Sequence, residues 1–131
     1  MPHPSNTDFE KLIESWIRYH QKAVNSDGKA LHDDNDFWAF NALVDLCNID
    51  PELAWDIIRH LTHRVDSSEL RANIGAGPLE YLLAKHGEEF VGRIVEAIHN
   101  DAKFAEVAES VWKNQIPSDV WNRFQSALRK I

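Results

Sequence analysis

The residues best suited to chemistry in this 131-residue sequence are its seven histidines. His60 and His63 stand three positions apart, and on a helix that spacing lets two imidazoles share a metal ion. A usable metal site needs a third or fourth ligand, and none lies at motif spacing. We therefore expect surface histidines and no bound metal.

A short glycine segment, Gly75-Ala76-Gly77, is the nearest approach in the sequence to a phosphate-binding loop. Small residues ahead of a helix can expose backbone N–H groups to an anion. No Lys-Ser/Thr pair follows, no strand precedes, and Pro78 removes one donor. We interpret the glycines as a tight corner that ends one helix, with Pro78 beginning the next.

Glu80 and His86 flank the same segment and could be imagined as an acid and a base. Six residues correspond to about 600° of helical rotation, so the two side chains point about 120° apart. Glu80 is better placed to interact with the free N–H groups of a helix that begins after Gly77. Cys47 lies on an apolar helix, which indicates a buried, inert thiol. The sequence therefore predicts a protein that is not an enzyme and uses no cofactor.

Apolar residues recur at helical spacing along almost the whole chain, and no segment alternates with the period of a strand. Clear helix starts are Asp50-Pro51 and the capping box Asp66-Ser67-Ser68-Glu69, and Gly87 is placed to end a helix in the left-handed conformation. We predict a single all-α domain over residues 1–131, made of seven or eight short helices. Short connections favour antiparallel pairs, either in an irregular bundle or in a short α-solenoid-like stack.

The second helix, from Phe37 to Cys47, carries apolar residues on more than one face. That pattern predicts a helix buried between neighbours on two sides. The five tryptophans are more than a core of this size normally requires. We expect core positions for Trp16, Trp112 and Trp121, whereas Trp38 and Trp55 could be core residues or binding anchors.

The net charge of −7 is concentrated in one stretch of the chain. Between Asp27 and Asp56 eight acidic residues oppose a single lysine, while the remaining residues carry 13 acids and 13 bases. Such a surface repels phosphate backbones, so direct nucleic-acid binding is not expected. The same charge would attract a basic protein. The alternative is that Asp36, Asp50 and Glu52 cap helix starts.

No apolar run exceeds four residues, and the N-terminal residues have neither a basic region nor an apolar core. A membrane-spanning helix needs about twenty apolar residues. We therefore expect no membrane association and a cytoplasmic location.

Several segments together are similar to a known family. They are Phe37-Trp38-Ala39-Phe40, Asp50-Pro51-Glu52-Leu53-Ala54-Trp55, Gly75-Ala76-Gly77-Pro78-Leu79-Glu80-Tyr81-Leu82-Leu83 with His86-Gly87, and Phe104 with Val111-Trp112. This pattern resembles an uncharacterised bacterial family of small all-helical proteins, a domain of unknown function. The resemblance covers about residues 36 to 124 and leaves out the N-terminal helix and the Asp33-Asp34 loop. It implies an all-helical fold in a bacterial cytosolic protein and carries no activity or site residue.

Charge and aromatic content together predict an acidic protein-binding module whose partner is a basic protein. Its most specific form is an immunity-type inhibitor of a basic bacterial toxin. The predicted partner-binding residues are Asp33, Asp34, Asp36, Trp38, Asp45 and Asp56. The alternative is a self-associating scaffold or housekeeping protein, such as a homodimer formed through an exposed apolar helix face.

Overall fold

A computed structural model describes residues 6–26 and 34–130 of the chain, and in those residues it contains helices and no strand. This agrees with the predicted all-α class. The helices are α1 (Asn6–Asn25), α2 (Phe37–Ile49), α3 (Pro51–Arg64), α4 (Ser68–Ile74), α5 (Glu80–Asn100), α6 (Ala102–Ala108) and α7 (Ser118–Arg129), with a π-helical segment over Gly75–Leu79 between α4 and α5. None of these helices is both long and apolar enough to cross a membrane.

The predicted helix starts are confirmed by their capping contacts. Asp50 Oδ1 accepts a hydrogen bond from the N–H of Leu53 at 3.4 Å, and Pro51 occupies the first turn of α3. Ser67 Oγ accepts from the N–H of Leu70 at 3.2 Å and begins α4. These bonds satisfy backbone donors that a helix cannot satisfy itself, which is why the local sequence is sufficient to fix both boundaries.

The expected corner at Gly75-Ala76-Gly77 is wrong, because α4, the π-helical segment and α5 run on without a break. Counted this way the described residues form six continuous helices, not seven or eight. Gly75 keeps right-handed helical dihedral angles, with φ −66° and ψ −50°. Its missing side chain serves a different purpose, since a Cβ atom there would overlap the backbone carbonyl oxygen of Val107. The glycine therefore permits the close approach of two helices.

The expected helix end at Gly87 is found in part. Helical geometry breaks at His86, one residue earlier, with φ −136° and ψ 29°, and the chain continues as a helix beyond this kink to Asn100. A Cβ atom at Gly87 would lie 2.8 Å from Cγ1 of Val120, so this glycine lets α5 pack closely against α7. The left-handed conformation is found instead at Asn114, where φ is 37°.

One connected hydrophobic core receives side chains from all seven helices. Its largest fully buried members include Trp16, Leu43, Phe90, Phe104 and Phe124. Helix α5 is in contact with α2, α3, α6 and α7, and α1 lies across α2, α3 and α4. A single shared core is the property of a closed bundle, whereas an α-solenoid stacks its repeats only on their neighbours. In the described residues α3 and α5 are thus the central helices, each in contact with most of the others.

The two glycines of the π-helical segment offer a matched test of this packing. We expect Gly75→Ala to lower the free energy of unfolding by about 2–3 kcal/mol, because the added methyl group must displace the α6 backbone. Gly77→Ala is the control, since nothing lies within 4 Å of its Cβ position. The control should leave stability unchanged or raise it by up to about 1 kcal/mol. Urea denaturation of both variants measures the difference, and equal stabilities would contradict the packing described here.

Candidate protein-binding surface

Helix α2 has two apolar faces. One consists of Ala39, Leu43 and Cys47, which are fully buried in the core. The other runs along the outside of the same helix, and we call it the outer stripe of α2. Its members, at helical spacing, are Trp38, Ala42, Asp45, Leu46 and Ile49. The sequence prediction of a helix buried on two sides is therefore correct for one side only.

The outer stripe forms one wall of a groove between three helices, with a volume of about 530 Å³. Leu53 and Ile57 of α3 and Phe9 and Leu12 of α1 supply most of its remaining apolar lining. We call this feature the α1–α3 groove. Its full lining is Asp8, Phe9, Lys11, Leu12, Trp38, Ala42, Asp45, Leu46, Ile49, Asp50, Leu53 and Ile57.

Two large apolar side chains at the groove remain in contact with water. Trp38 is 40% exposed and Ile49 is 62% exposed. The Lys11 ammonium nitrogen lies 5.8 Å from the centre of the Trp38 ring, which fits a cation–π contact across the groove. Exposed aromatic and branched aliphatic side chains along one groove are typical of a surface that is covered by another molecule.

The charged residues of the groove stand mainly at its rim, and most are acidic. Asp45 is exposed and forms no ion pair with any residue that the structure describes. Asp50 caps α3, and Asp8 lies at the α1 side. Among the lining side chains that the structure describes, Lys11 is the one basic residue. The rim thus carries a net negative charge in front of an apolar floor.

Asp34 and Asp36, predicted to bind a partner, are engaged within the chain. Arg18 reaches both oxygens of Asp36, with its Nε and Nη2 each 3.2 Å away. Lys22 Nζ lies 2.7 Å from Asp34 and 3.0 Å from Asp36. We call these four side chains the α1–α2 ion cluster. It joins the C-terminal half of α1 to the start of α2.

The ion cluster also shifts the pKa values of its members. The hydrogen bond from Arg18 holds the pKa of Asp36 below its ordinary value, and the hydrogen bond from Lys22 lowers it further. Partial burial opposes this lowering. Lys22 and the backbone N–H of Asp36 lower the pKa of Asp34. Both carboxylates are therefore charged at neutral pH and already have cationic partners, so their role is to hold α1 against α2.

The other predicted positions have different surroundings. Asp33 lies outside the described residues. Asp56 is exposed on α3. The pKa of Arg93 is raised mainly by its two hydrogen bonds to Glu52, at 2.6 and 2.7 Å, and the charge of Asp56 adds to this shift. Asp45 and Trp38 are the two predicted residues that the structure brings together in the groove. Much of the acidic stretch is thus neutralised by basic side chains from α1 and α5.

We expect the free energy of unfolding to fall more when a carboxylate of the α1–α2 ion cluster is replaced than when a carboxylate of the groove is replaced. At pH 7, Asp36→Asn should lower the free energy of unfolding by about 1 kcal/mol, because two half-exposed cations lose their partner. Since the pKa of Asp36 is depressed on folding, this contribution exists above the unfolded value of about 4 and disappears as pH falls through the folded value.

The matched control for this prediction is Asp45→Asn, which should change stability by less than about 0.5 kcal/mol at any pH. Denaturant titrations of both variants between pH 7 and pH 2.5 provide the measurement. A larger loss for Asp45→Asn than for Asp36→Asn would contradict the assignment of a structural role to Asp36.

The histidines and the cysteine considered for metal binding or nucleophilic chemistry make contacts that stabilise the fold. His63 Nε2 lies 2.7 Å from Oδ2 of Asp101, the residue that caps α6, and the His60 ring packs edge-on against Phe9 at 5.0 Å. In the part of the chain that is described, no three histidine, cysteine or acidic residues are grouped as metal ligands would be. Burial raises the pKa of Cys47 to about 12, as expected for an inert thiol.

Glu80 and Trp112 belong to a feature that the sequence did not predict. Because no helix begins at Pro78, Glu80 has no free N–H groups in its own first turn. Its carboxylate reaches across to the backbone N–H of Trp112 at 2.8 Å and to the side-chain amide of Asn114 at 2.6 Å. Helix α6 ends at Ala108, so Trp112 leaves the buried face and is 72% exposed. The expected core position of Trp112 is therefore wrong.

The other tryptophans can now be assigned. Trp16 is buried, and Trp121 is partly buried against Phe124, with 5.7 Å between ring centres. Trp55 is buried and meets the ring of Phe104 edge-on at 5.5 Å, so it belongs to the core. Of the two residues for which the sequence left a choice, Trp38 is the one that remains available for binding.

Helical content, one hydrophobic core and an apolar groove bordered by carboxylates characterise the described part of this small all-α protein. A comparison with family models matches residues 26–131 to the Family of unknown function (DUF6869), and the chain belongs to that family. Neither the curated proteins nor the solved structures yield a match to this chain.

The matched residues extend beyond the range that the sequence resemblance suggested. They include Asp33 and Asp34, which we had placed outside it. Helices α2 and α3, which supply one wall and the floor of the groove, lie within the match. Helix α1, which supplies the other wall, precedes it.

Proposed function

We propose that this chain is a non-enzymatic protein-binding module and that the α1–α3 groove is its binding surface. The observation that supports this proposal is the outer stripe of α2, an apolar face of a core helix that other parts of the described chain cover only partly. Covering such a face removes apolar surface from water, a gross gain of about 25 cal/mol for each Å² buried, from which the entropy and ordering costs of association are subtracted. Trp38 is the natural anchor, because a rigid aromatic side chain often dominates an interface.

The shape and charge of the groove favour a protein over other ligands. Small-molecule sites enclose most of their ligand and converge several polar groups on it, whereas the charged side chains here stand at an open rim. The acidic rim would repel the phosphates of a nucleic acid. Among the described lining residues there is no pairing of a nucleophile with a base, which is why catalysis is not part of the proposal.

The sign of the rim favours a basic partner, with Asp45 as the side chain most available to meet a lysine or arginine. The most specific form of the proposal is an immunity-type inhibitor in the bacterial cytoplasm, which would cover the basic surface of a toxin. The α1–α2 ion cluster reduces the number of carboxylates that are available to contact such a toxin. Because Asp34 and Asp36 are already paired with Arg18 and Lys22, the inner contacts of the complex are assigned to Trp38 and Asp45, with Asp56 further along α3.

Affinity capture from cells of the source organism tests the binding function. The tagged chain should enrich a basic protein at about 100 mM salt, and more salt should weaken the complex. The double variant Trp38→Ala/Ile49→Ser should reduce that enrichment by at least about tenfold, since both changes remove apolar anchors. Its circular dichroism spectrum should remain that of the wild type, because both side chains are largely at the surface.

The control for capture is Trp112→Ala, which removes an exposed tryptophan outside the groove and should leave the partner bound. If the double variant captures the partner as well as the wild type does, the partner binds to a surface other than the groove. If the captured protein is a toxin, producing it together with the wild-type chain should restore growth, and the double variant should fail to do so. If the wild-type chain and the double variant restore growth equally, the chain does not inhibit the toxin through the groove.

Self-association is the second candidate function, and one observation favours it. Tyr81 and Trp112 are two large exposed side chains that lie outside the groove, and Glu80 fixes the loop of Trp112. Apolar contact between two such patches would form a dimer that resists salt. Sedimentation at micromolar concentration distinguishes self-association from partner binding through the groove. If the chain self-associates through Tyr81 and Trp112, it should sediment as a dimer. Trp112→Ala should dissociate this dimer, and the groove double variant should leave it intact.

A further inference from the structure

We propose that the α1–α3 groove takes one face of an amphipathic helix with basic flanks, supplied by the partner protein. This inference rests on the proposed function, and it specifies the chemistry of the segment that enters the groove. It comes from three properties of the described residues: the helical walls of the groove, the length of the outer stripe and the charge of the rim.

The walls and floor of the groove are helices whose side chains project into it. Helix-in-groove recognition places apolar anchors of the incoming helix between such ridges. Addition of a β-strand would need an exposed strand edge, and the described residues have no strand. Proline-rich segments dock on several stacked aromatic rings, whereas Trp38 is the one tryptophan among the described residues of this groove and Phe9 is partly buried.

The length of the outer stripe sets the length of the occupant. Trp38 and Ile49 are eleven positions apart on α2, which corresponds to about 16 Å at a rise of 1.5 Å per residue, or three helical turns. A partner helix of three to four turns can therefore contact the whole stripe. Its anchors would recur at intervals of three and four residues, so that they lie on one face.

The charge of the rim sets the flanks of the occupant. Asp45 stands within the outer stripe and has no cationic partner in the described chain. Asp8 of α1 is also among the residues that line the groove. Lys11 lies over the Trp38 ring and does not form an ion pair with Asp45. A helix whose apolar face enters the groove would present its flanking residues to this rim, where lysine or arginine is favoured and glutamate is repelled.

Three synthetic peptides of about 18 residues test the inference without an identified partner. The first has leucine at every third or fourth position and lysine elsewhere, the second replaces lysine with glutamate, and the third carries a central proline in the lysine sequence. Isothermal titration calorimetry should give at least about tenfold tighter binding of the lysine peptide than of either relative at about 50 mM salt. About 500 mM salt should reduce the preference over the glutamate peptide.

Variants of the protein assign the binding to the groove. Ile49→Gln keeps the net charge and should weaken the lysine peptide about fivefold or more, which general attraction to an acidic protein would not produce. Asp45→Lys should weaken the lysine peptide and strengthen the glutamate peptide. Glu109→Lys makes the same change of charge at an exposed residue after α6 and should change both affinities less than twofold.

Equal affinity for the lysine and glutamate peptides, binding of the proline peptide as tight as that of the lysine peptide or tighter, or an unchanged affinity of Ile49→Gln would each overturn the inference. Failure of all three peptides to bind would also overturn it. The proposed function is decided separately by capture. If the peptide experiment fails but the double variant Trp38→Ala/Ile49→Ser no longer captures the partner, the groove remains the binding surface. Only the basic helix is then excluded as its occupant.

Discussion

Incomplete burial of a helix with two apolar faces is the constraint from which the other features of this protein follow. Helix α2 is apolar along Ala39, Leu43 and Cys47 and again along its outer stripe, yet the core buries only the first face fully, and Ala42 and Leu46 of the outer stripe are only partly buried. An amphipathic helix of a monomeric protein normally turns its second face to water with polar residues. Trp38 and Ile49 instead leave apolar surface exposed in a groove. The function that we propose supplies the cover that this second face lacks.

The α1–α2 ion cluster determines how the groove is built. Arg18 and Lys22 neutralise Asp34 and Asp36 and hold the C-terminal half of α1 on the start of α2, so that the N-terminal half of α1 forms a groove wall. This separates two groups of carboxylates that the sequence presents as one acidic stretch. One group stabilises the fold, and the other, represented by Asp45, faces outward. Electrostatic attraction of a partner can therefore come only from the carboxylates that the fold leaves unpaired.

Features determined by neighbouring residues were predictable, and features determined by distant contacts were not. The starts of α3 and α4 follow from a capping residue and the few residues after it, and the inertness of Cys47 follows from the apolar pattern around it. Gly75 was misread as a corner because its purpose, an approach to Val107, depends on a segment about thirty residues away. The partners of Asp34 and Asp36 are likewise on another helix. The early end of α6, which exposes Trp112, has no marker in the local sequence. In the candidate site, Trp38 and Asp45 were identified from type and position, whereas the α1 wall required the fold.

The exposure of the outer stripe is tested most directly by thiol labelling of α2 in the folded protein. The native Cys47 is buried, and its pKa is raised to about 12, so it serves as an internal reference for an inaccessible thiol. In Ile49→Cys we expect one thiol to react with a maleimide at pH 7 within about tenfold of the rate of an unstructured peptide, while Cys47 reacts only after unfolding. Bound partner should slow the reaction at position 49. Equal protection of both thiols in the free protein would mean that the chain itself covers this face, and the groove would not exist.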